Sequence, residues 1–426
     1  MTKQRESRVL ARRAIRGLRA AGAILLAGWL PACNALDDAL DVEVPSEVPA
    51  ETLEDPALAH LLVSGLVSDF ECAYGAFVVT AGLLGDELYD ATFTANRWPV
   101  PSRQVQSSDS RYSTFGCETL GVYTPISTAR WSADNALTKL EAWTDAEVED
   151  RMQKLATAAA YSGYSHVLLA ETFCSAAIDL SAELSSETIF ERAETRFTRA
   201  IEAAQAAGDG EILNMARVGR ARARLALGNT TGAAEDAAAV PQGFERVATA
   251  STISARRRNR IAEETIDRLL SVTELFRDLT VDGEPDTRVP VVDTGDFGTD
   301  AETEFWRQDK YTSEADPIPL ATWREAQLIL AEARGGQEAV DAINRLRDFH
   351  GLPAYAGGSA AEIEEQVREE RRRELFLEGH RLWDMRRFNI PFFPATGIDF
   401  SKGGQFGSAT CLPLPDVERA ANPNIT

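Results

Sequence analysis

The chain has 426 residues, 44% of them hydrophobic, and a formal net charge of −22. That length is enough to bury a large core, and the acidic balance argues against a surface made for nucleic-acid phosphates or anionic lipid head groups. Four histidines with no HExxH pair, no GxSxG and no phosphate-cradling glycine loop leave the common hydrolase and nucleotide-binding signatures unfilled.

Residues 1–32 read as a signal peptide. Lys3, Arg5, Arg8, Arg12, Arg13, Arg16 and Arg19 form a basic leader, followed by the apolar run Ala20 to Leu30. That run is too short to span a bilayer, which takes about 20 apolar residues. Its exit, Leu30-Pro31-Ala32-Cys33, is the bacterial lipoprotein pattern, so Cys33 is expected to be lipidated and to become the first mature residue. The leader carries seven Lys/Arg and one Glu, so cleavage leaves 37 basic and 65 acidic residues, a net charge of about −28. Residues 33–55 are acidic, proline-bearing and free of aromatics, the composition of a flexible tether. No membrane span is expected after the signal.

Residues 56–426 read as one mainly α domain. Ala156 to Phe173 is alanine-rich with aromatics spaced for one face. Thr188 to Ala207 sets Ile189, Ala193, Phe197, Ala200 and Ile201 at helical spacing. Ile212 to Leu227 predicts a third helix ended by Gly228 and Asn229, and a fourth starts near Thr231. The helix–turn–helix at Ala221 to Ala239 is echoed at Gln327 to Arg347, with Gly335-Gly336 as the second turn. Small residues and a short glycine turn make antiparallel helix pairs of the tetratricopeptide-like kind, although the repeat consensus is degenerate. The expected fold is therefore a helical-repeat scaffold with loop-rich insertions near 74–125 and 281–320, both rich in aromatics, glycine and proline.

Ala361 to Phe388 predicts one long helix, with Ile363, Val367, Leu375, Leu382 and Trp383 as its buried stripe and Pro391 and Pro394 as its stop. Glu364–Arg368 and Glu369–Arg373 support it at i,i+4 spacing. Arginine is dense here, but acids alternate with it, so an ion and hydrogen-bond network fits better than a nucleic-acid patch. Four cysteines remain after the signal, none in CxxC spacing or near histidine, so no metal or cofactor is expected. An exported chain keeps disulfides. Cys72–Cys117 is favoured because both segments look loop-rich, and Cys174–Cys411 follows by elimination.

The C-terminal motif ERRRELFLEGHRLWDMRRFN resembles the hallmark of the SusD/RagB outer-membrane lipoproteins. Glu378, Gly379, His380, Arg381, Trp383, Asp384, Arg386 and Arg387 fall in its places. DPIPLATWREAQLILAEA, CLPLPDVERAANPNIT and GVYTPISTARWSADNAL resemble three further segments of that family, so the likeness covers nearly all of the mature chain. The resemblance implies a SusD-like α/α superhelix on the outer membrane, held by its lipid and facing outward. It further implies a SusC-like TonB-dependent barrel as partner, an oligosaccharide or other nutrient as ligand, and no catalysis. The hallmark segment is then scaffold, and His380 is structural rather than a base. The chain looks short for the family, which leaves the ligand class open.

Sugars are bound by aromatic rings with Asp, Asn and Arg holding the hydroxyls. Gly85 to Pro99 is the segment best supplied for this, so Asp86, Tyr89, Arg97 and Trp98 are candidate ligand contacts, with Trp306 and Tyr311 from the second insertion. Trp98 leads because a tryptophan in a polar loop has little core to join. Two rivals stay open: a helical-repeat adaptor lipoprotein that binds only protein, and a periplasm-facing hydrolase. Carboxylates are too numerous to single out a glycosidase pair.

Overall fold

The computed structural model describes residues 53–425; the signal, Cys33 and most of the tether lie outside them. Among the described residues the helices are α1 (Ala59–Leu84), α2 (Ser110–Ser113), α3 (Tyr123–Ala142), α4 (Arg151–Thr172), α5 (Ser186–Ala207), α6 (Gly210–Ala226), α7 (Thr230–Ala238), α8 (Arg260–Ile266), α9 (Trp323–Arg334), α10 (Gly336–Phe349), α11 (Ala360–Glu374), α12 (Arg381–Arg387) and α13 (Asp416–Ala421). The strands are β1 (Leu88–Asp90), β2 (Glu245–Ala248), β3 (Leu270–Val272), β4 (Thr280–Val281), β5 (Glu284–Pro285), β6 (Val291–Phe297), β7 (Glu304–Gln308) and β8 (Ile318–Thr322).

The scaffold is the helical repeat expected from the sequence. Helices α3 to α7 pack each on the next, α7 then packs on α9, and α9 on α10 and α11. The helix ends follow local chemistry. Ser185 caps α5 by accepting from the Thr188 amide, and Gly208 ends it in the left-handed region. The stripe Ile189, Ala193, Phe197, Ala200 and Ile201 is buried as its spacing predicts. The Phe197 ring fills the space left by Gly163 on α4 and Gly219 on α6, where a Cβ would overlap it. At the other end, Ala331, Ala339, Val340, Ile343, Ile363 and Val367 join α9, α10 and α11 in one apolar cluster. Gly228 (φ 77°) and Asn229 end the third helix as expected, the Asn229 amide donating back to the Arg224 carbonyl at 2.8 Å, and the Asn229 side chain accepts from the Gly232 amide to start α7.

Helix α1 is long and apolar enough to cross a membrane by composition alone. Every residue from Phe70 to Leu84 is buried, and the helix packs against α3 and α4. It is apolar all round because it is the central core helix. Cys72 lies inside it, so this cysteine is in a helix rather than a loop, and the first insertion begins at Gly85 rather than near residue 74. Cys72 pairs with Cys117 (Cα–Cα 5.7 Å) and Cys174 with Cys411 (5.1 Å). The second insertion is largely β: β6 and β7 form a hairpin whose register shifts between Asp293 and Phe297. β1 pairs antiparallel with β3, with Tyr89 opposite Ser271. Ser271 Oγ donates to the Glu304 carbonyl and accepts the Trp306 amide at 2.9 Å, which ties β3 to β7.

The single helix expected over Ala361 to Phe388 is in fact two. α11 starts with a capping box between Ser359 and Glu362 and stops at Glu374. The chain then turns through Leu377 (φ 54°) and Gly379 (φ 85°) before α12 begins at Arg381. Helical periodicity continues across the break, so pattern alone does not reveal it. Ile363, Val367, Leu375 and Leu382 are buried, while Trp383 is half-buried.

Candidate functional site

The break between α11 and α12 is held by polar and charged groups from four other parts of the fold. Arg381 grips Asp86 with two hydrogen bonds of 2.7 Å. Glu87 accepts the Leu377 amide at 2.8 Å, and Tyr74 donates its hydroxyl to the Glu378 carbonyl at 3.1 Å. Lys310 donates to the Phe376 carbonyl and to the Glu378 carboxylate, each at 2.7 Å. Asp384 receives Arg371 at 2.8 and 3.0 Å and Arg387 at 2.8 Å. Arg222 pairs with Glu325 at 2.7 Å and donates to His380 Nε2 at 2.9 Å. A guanidinium only donates, so His380 is an acceptor with its proton on Nδ1. Burial and the neighbouring arginines hold His380 well below the usual histidine range, so it is neutral. Burial pushes the Glu87 and Glu171 carboxyls up to about 7. Apart from Glu171, whose carboxylate lies 3.9 Å from Arg222 without a hydrogen bond, these groups are hydrogen-bonded inside the protein and fix how the chain turns.

Beside this network the insertions open a cleft of about 290 Å³. Tyr89, Pro101, Pro394, Phe400 and Phe406 form its apolar walls, and Glu302, Thr303, Asp399 and Ser401 its polar ones. Four stretches of chain build it, one of them the β6–β7 turn that carries Glu302 and Thr303. β1 presents Tyr89 half-buried, with its hydroxyl donating to Glu274 at 2.7 Å. The loop after β1 is fixed by Asp90, which accepts from Thr92 at 2.7 Å and pairs with Arg97 at 2.6 Å. The fourth stretch follows α12, where Phe400 and Phe406 pack edge-to-face with centroids 5.2 Å apart. Arg103 stitches the last two together by donating to the carbonyls of Phe393, Pro394 and Gly407, and its guanidinium lies 4.8 Å from the Phe406 ring. Gly407 passes so close to the Arg103 carbonyl that a Cβ there would collide with backbone. Lys402 pairs with buried Asp300 and lies 5.5 Å from the ring of Phe93, which is 60% exposed beside the cleft. Burial alone would raise the Asp300 carboxyl, but bonds from Lys402, Thr303 and two backbone amides hold it at about 2.

Of the six candidate contacts, Tyr89 lines the cleft. Trp306 is half-buried on the next strand edge, with Arg277 4.7 Å from its ring centroid and Tyr89's partner Glu274 on the same turn as Arg277. Trp98 is half-buried; its indole N–H donates to the Thr92 carbonyl at 3.1 Å, so it anchors the loop. Asp86, Arg97 and Tyr311 are buried, with their polar atoms held by Arg381, by Asp90 and Glu264, and by the Leu377 carbonyl. The structure thus places Asp86 and Arg97 inside the framework, while Tyr311 also lines a separate cleft of about 630 Å³ together with Phe305 and Arg307. Sequence reasoning missed Phe400 and Phe406. Residues 392–406 carry four phenylalanines and three glycines, the same aromatic and glycine enrichment that marks the earlier insertions.

Residues 324–424 match the SusD family model. The fold is similar to a laminarin-binding SusD-like protein (15% identity, TM-score 0.66, covering 86% of this chain and 98% of that one). It is also similar to a SusD-like carbohydrate-binding protein from Bacteroides vulgatus (17%, TM-score 0.64, 86% and 96%). A SusD superfamily protein from Parabacteroides distasonis is similar as well (13%, TM-score 0.66, 89% and 99%). No curated protein sequence matches the chain. At these identities the structural likeness speaks for the fold. It agrees with the resemblance carried by the motifs from Glu378 to Arg387.

Proposed function

We propose, from the premise that this chain has the SusD-like fold and matches the SusD family over residues 324–424, that it is a lipid-anchored glycan-binding protein of the outer membrane surface. Cys33 carries the lipid, the acidic tether spans to the domain, and a SusC-like TonB-dependent barrel takes the captured nutrient. The observation that carries the reading is the cleft walled by Tyr89, Phe400 and Phe406, with hydroxyl and carboxylate groups set among the rings. Aromatic faces stack on sugar rings, and carboxylate and hydroxyl oxygens accept from sugar hydroxyls. The ion pairs beside the site, Lys402–Asp300 and Arg97–Asp90, are structural. Binding and release, without bond cleavage, is what such a site does. The laminarin-binding and carbohydrate-binding SusD-like proteins of similar fold support a glycan as the ligand here.

Isothermal titration of the full lipidated chain in detergent micelles with laminarin, and with a panel of other polysaccharides, tests the proposal. Saturable binding of at least one glycan, weakened at least tenfold in Tyr89→Ala, is expected. Absence of binding to every glycan overturns it.

A further inference from the structure

The charge around the cleft is lopsided. Glu302 and Asp399 line it, both exposed, and neither has an ion-pair partner among the described residues. Four cations around the cleft are already engaged. Lys402 is enclosed by Asp300 and by Thr303 Oγ1 at 3.3 Å, with its side chain 1% exposed. Arg103 is occupied by three backbone carbonyls and lies 5.7 and 4.8 Å from the Phe392 and Phe406 rings. Arg97 is buried between Asp90 and Glu264. Arg277, near Tyr89, donates twice to the Val272 carbonyl and lies 3.7 Å from Glu304. A carboxylate, sulfate or phosphate on a ligand would meet two uncompensated negative charges, with these four cations already occupied, within a chain of about −28 net charge after the signal. The hydroxyls of an uncharged sugar would instead find two strong acceptors facing aromatic walls.

We infer that this cleft selects uncharged polysaccharides and rejects uronic-acid and sulfated ones, with Glu302 and Asp399 as the specificity-determining residues. The inference rests on the glycan-binding reading above. It names the substrate class that the site takes. Repulsion between exposed charges is screened by salt, so the discrimination against anionic chains weakens as ionic strength rises.

The test compares laminarin, uncharged, with polygalacturonate, anionic, by titration of the full lipidated chain in detergent at low and at high salt. Laminarin is expected to bind at least tenfold more tightly at low salt. In the Glu302→Gln/Asp399→Asn double variant the ratio of the two affinities is expected to fall several-fold, and polygalacturonate binding is expected to lose most of its salt dependence. Two results overturn the inference alone: equal or tighter binding of polygalacturonate by the unaltered chain, or an affinity ratio that the double variant leaves unchanged. A chain that binds neither these two nor any other glycan overturns it together with the reading beneath it.

Discussion

Arg381 closes a bidentate pair on Asp86 across 295 residues of sequence, with both hydrogen bonds at 2.7 Å and both side chains buried. This pair joins the loop after α1 to the start of α12, so it fixes the first insertion against the C-terminal segment. Removing one charge of a buried pair strands the other, at a cost of about 3–5 kcal/mol. Asp86→Asn is therefore expected to lower the urea midpoint sharply. Glycan affinity measured on the folded protein is expected to stay within about twofold of the unaltered chain. A large affinity loss at unchanged stability would return Asp86 to the ligand site.

Gly379 sits at φ 85°, and a Cβ there would overlap the Phe77 ring of α1. Left-handed backbone costs a non-glycine residue about 1–2 kcal/mol, and overpacking a core adds about 1–3. Gly379→Ala is expected to destabilise the domain by about 2–5 kcal/mol, measured by urea unfolding. An alanine variant as stable as the original would mean that the turn between α11 and α12 has room for a Cβ beside Phe77.

Glu87 is buried with its carboxyl pushed up to about 7, mainly by burial and further by Asp86, while the Leu377 amide, Arg381 and Lys310 pull it down. In the unfolded chain a glutamate titrates near 4.3. Between those values the folded state holds the extra proton, so the group's contribution is full at low pH and is lost as pH rises towards 7. His166 works oppositely: burial pulls it down to about 4, so the unfolded chain takes the proton first and stability falls as pH drops from 6.5 to 4. Comparing Glu87→Gln with the unaltered chain isolates the first effect. The stability difference between the two proteins is expected to shift by up to about 3 kcal/mol in the variant's favour from pH 4.5 to 7.5, read by urea unfolding. A pH-independent difference would contradict the buried, protonated state of Glu87.

The two disulfides close loops of very different length, with sequence separations of 45 for Cys72–Cys117 and 237 for Cys174–Cys411. In the chain-entropy account the longer loop stabilises more, by about 1.5 kcal/mol for this ratio. Replacing Cys174 and Cys411 by serine is expected to cost more than replacing Cys72 and Cys117, with unfolding midpoints as the readout. The reverse order would show that packing around Cys72 inside α1 outweighs loop closure.

The helical scaffold was legible because its signals are local. The apolar stripe from Ile189 to Ile201 and the Gly335-Gly336 turn act within a few residues, and both are in place. The break at residues 375–380 was not, because charged groups distant in sequence, Asp86 and Lys310 among them, force the turn while the apolar period runs on. The same cause hid the roles of the candidate contacts. An aspartate and an arginine in polar segments read as ligand groups, yet Asp86 and Arg97 are buried, each held by a partner far away in sequence. Tyr89 reached the cleft, but its companions Phe400 and Phe406 come from a segment 300 residues further on, which no local pattern connects to it.

The central claim is that the cleft at Tyr89, Phe400 and Phe406 captures a glycan. The most direct test is titration of the full lipidated chain with laminarin beside its Tyr89→Ala/Phe93→Ala variant, whose fold is verified by an unchanged urea midpoint. Saturable binding lost from the double variant is the predicted result; binding that the variant retains in full would contradict the account.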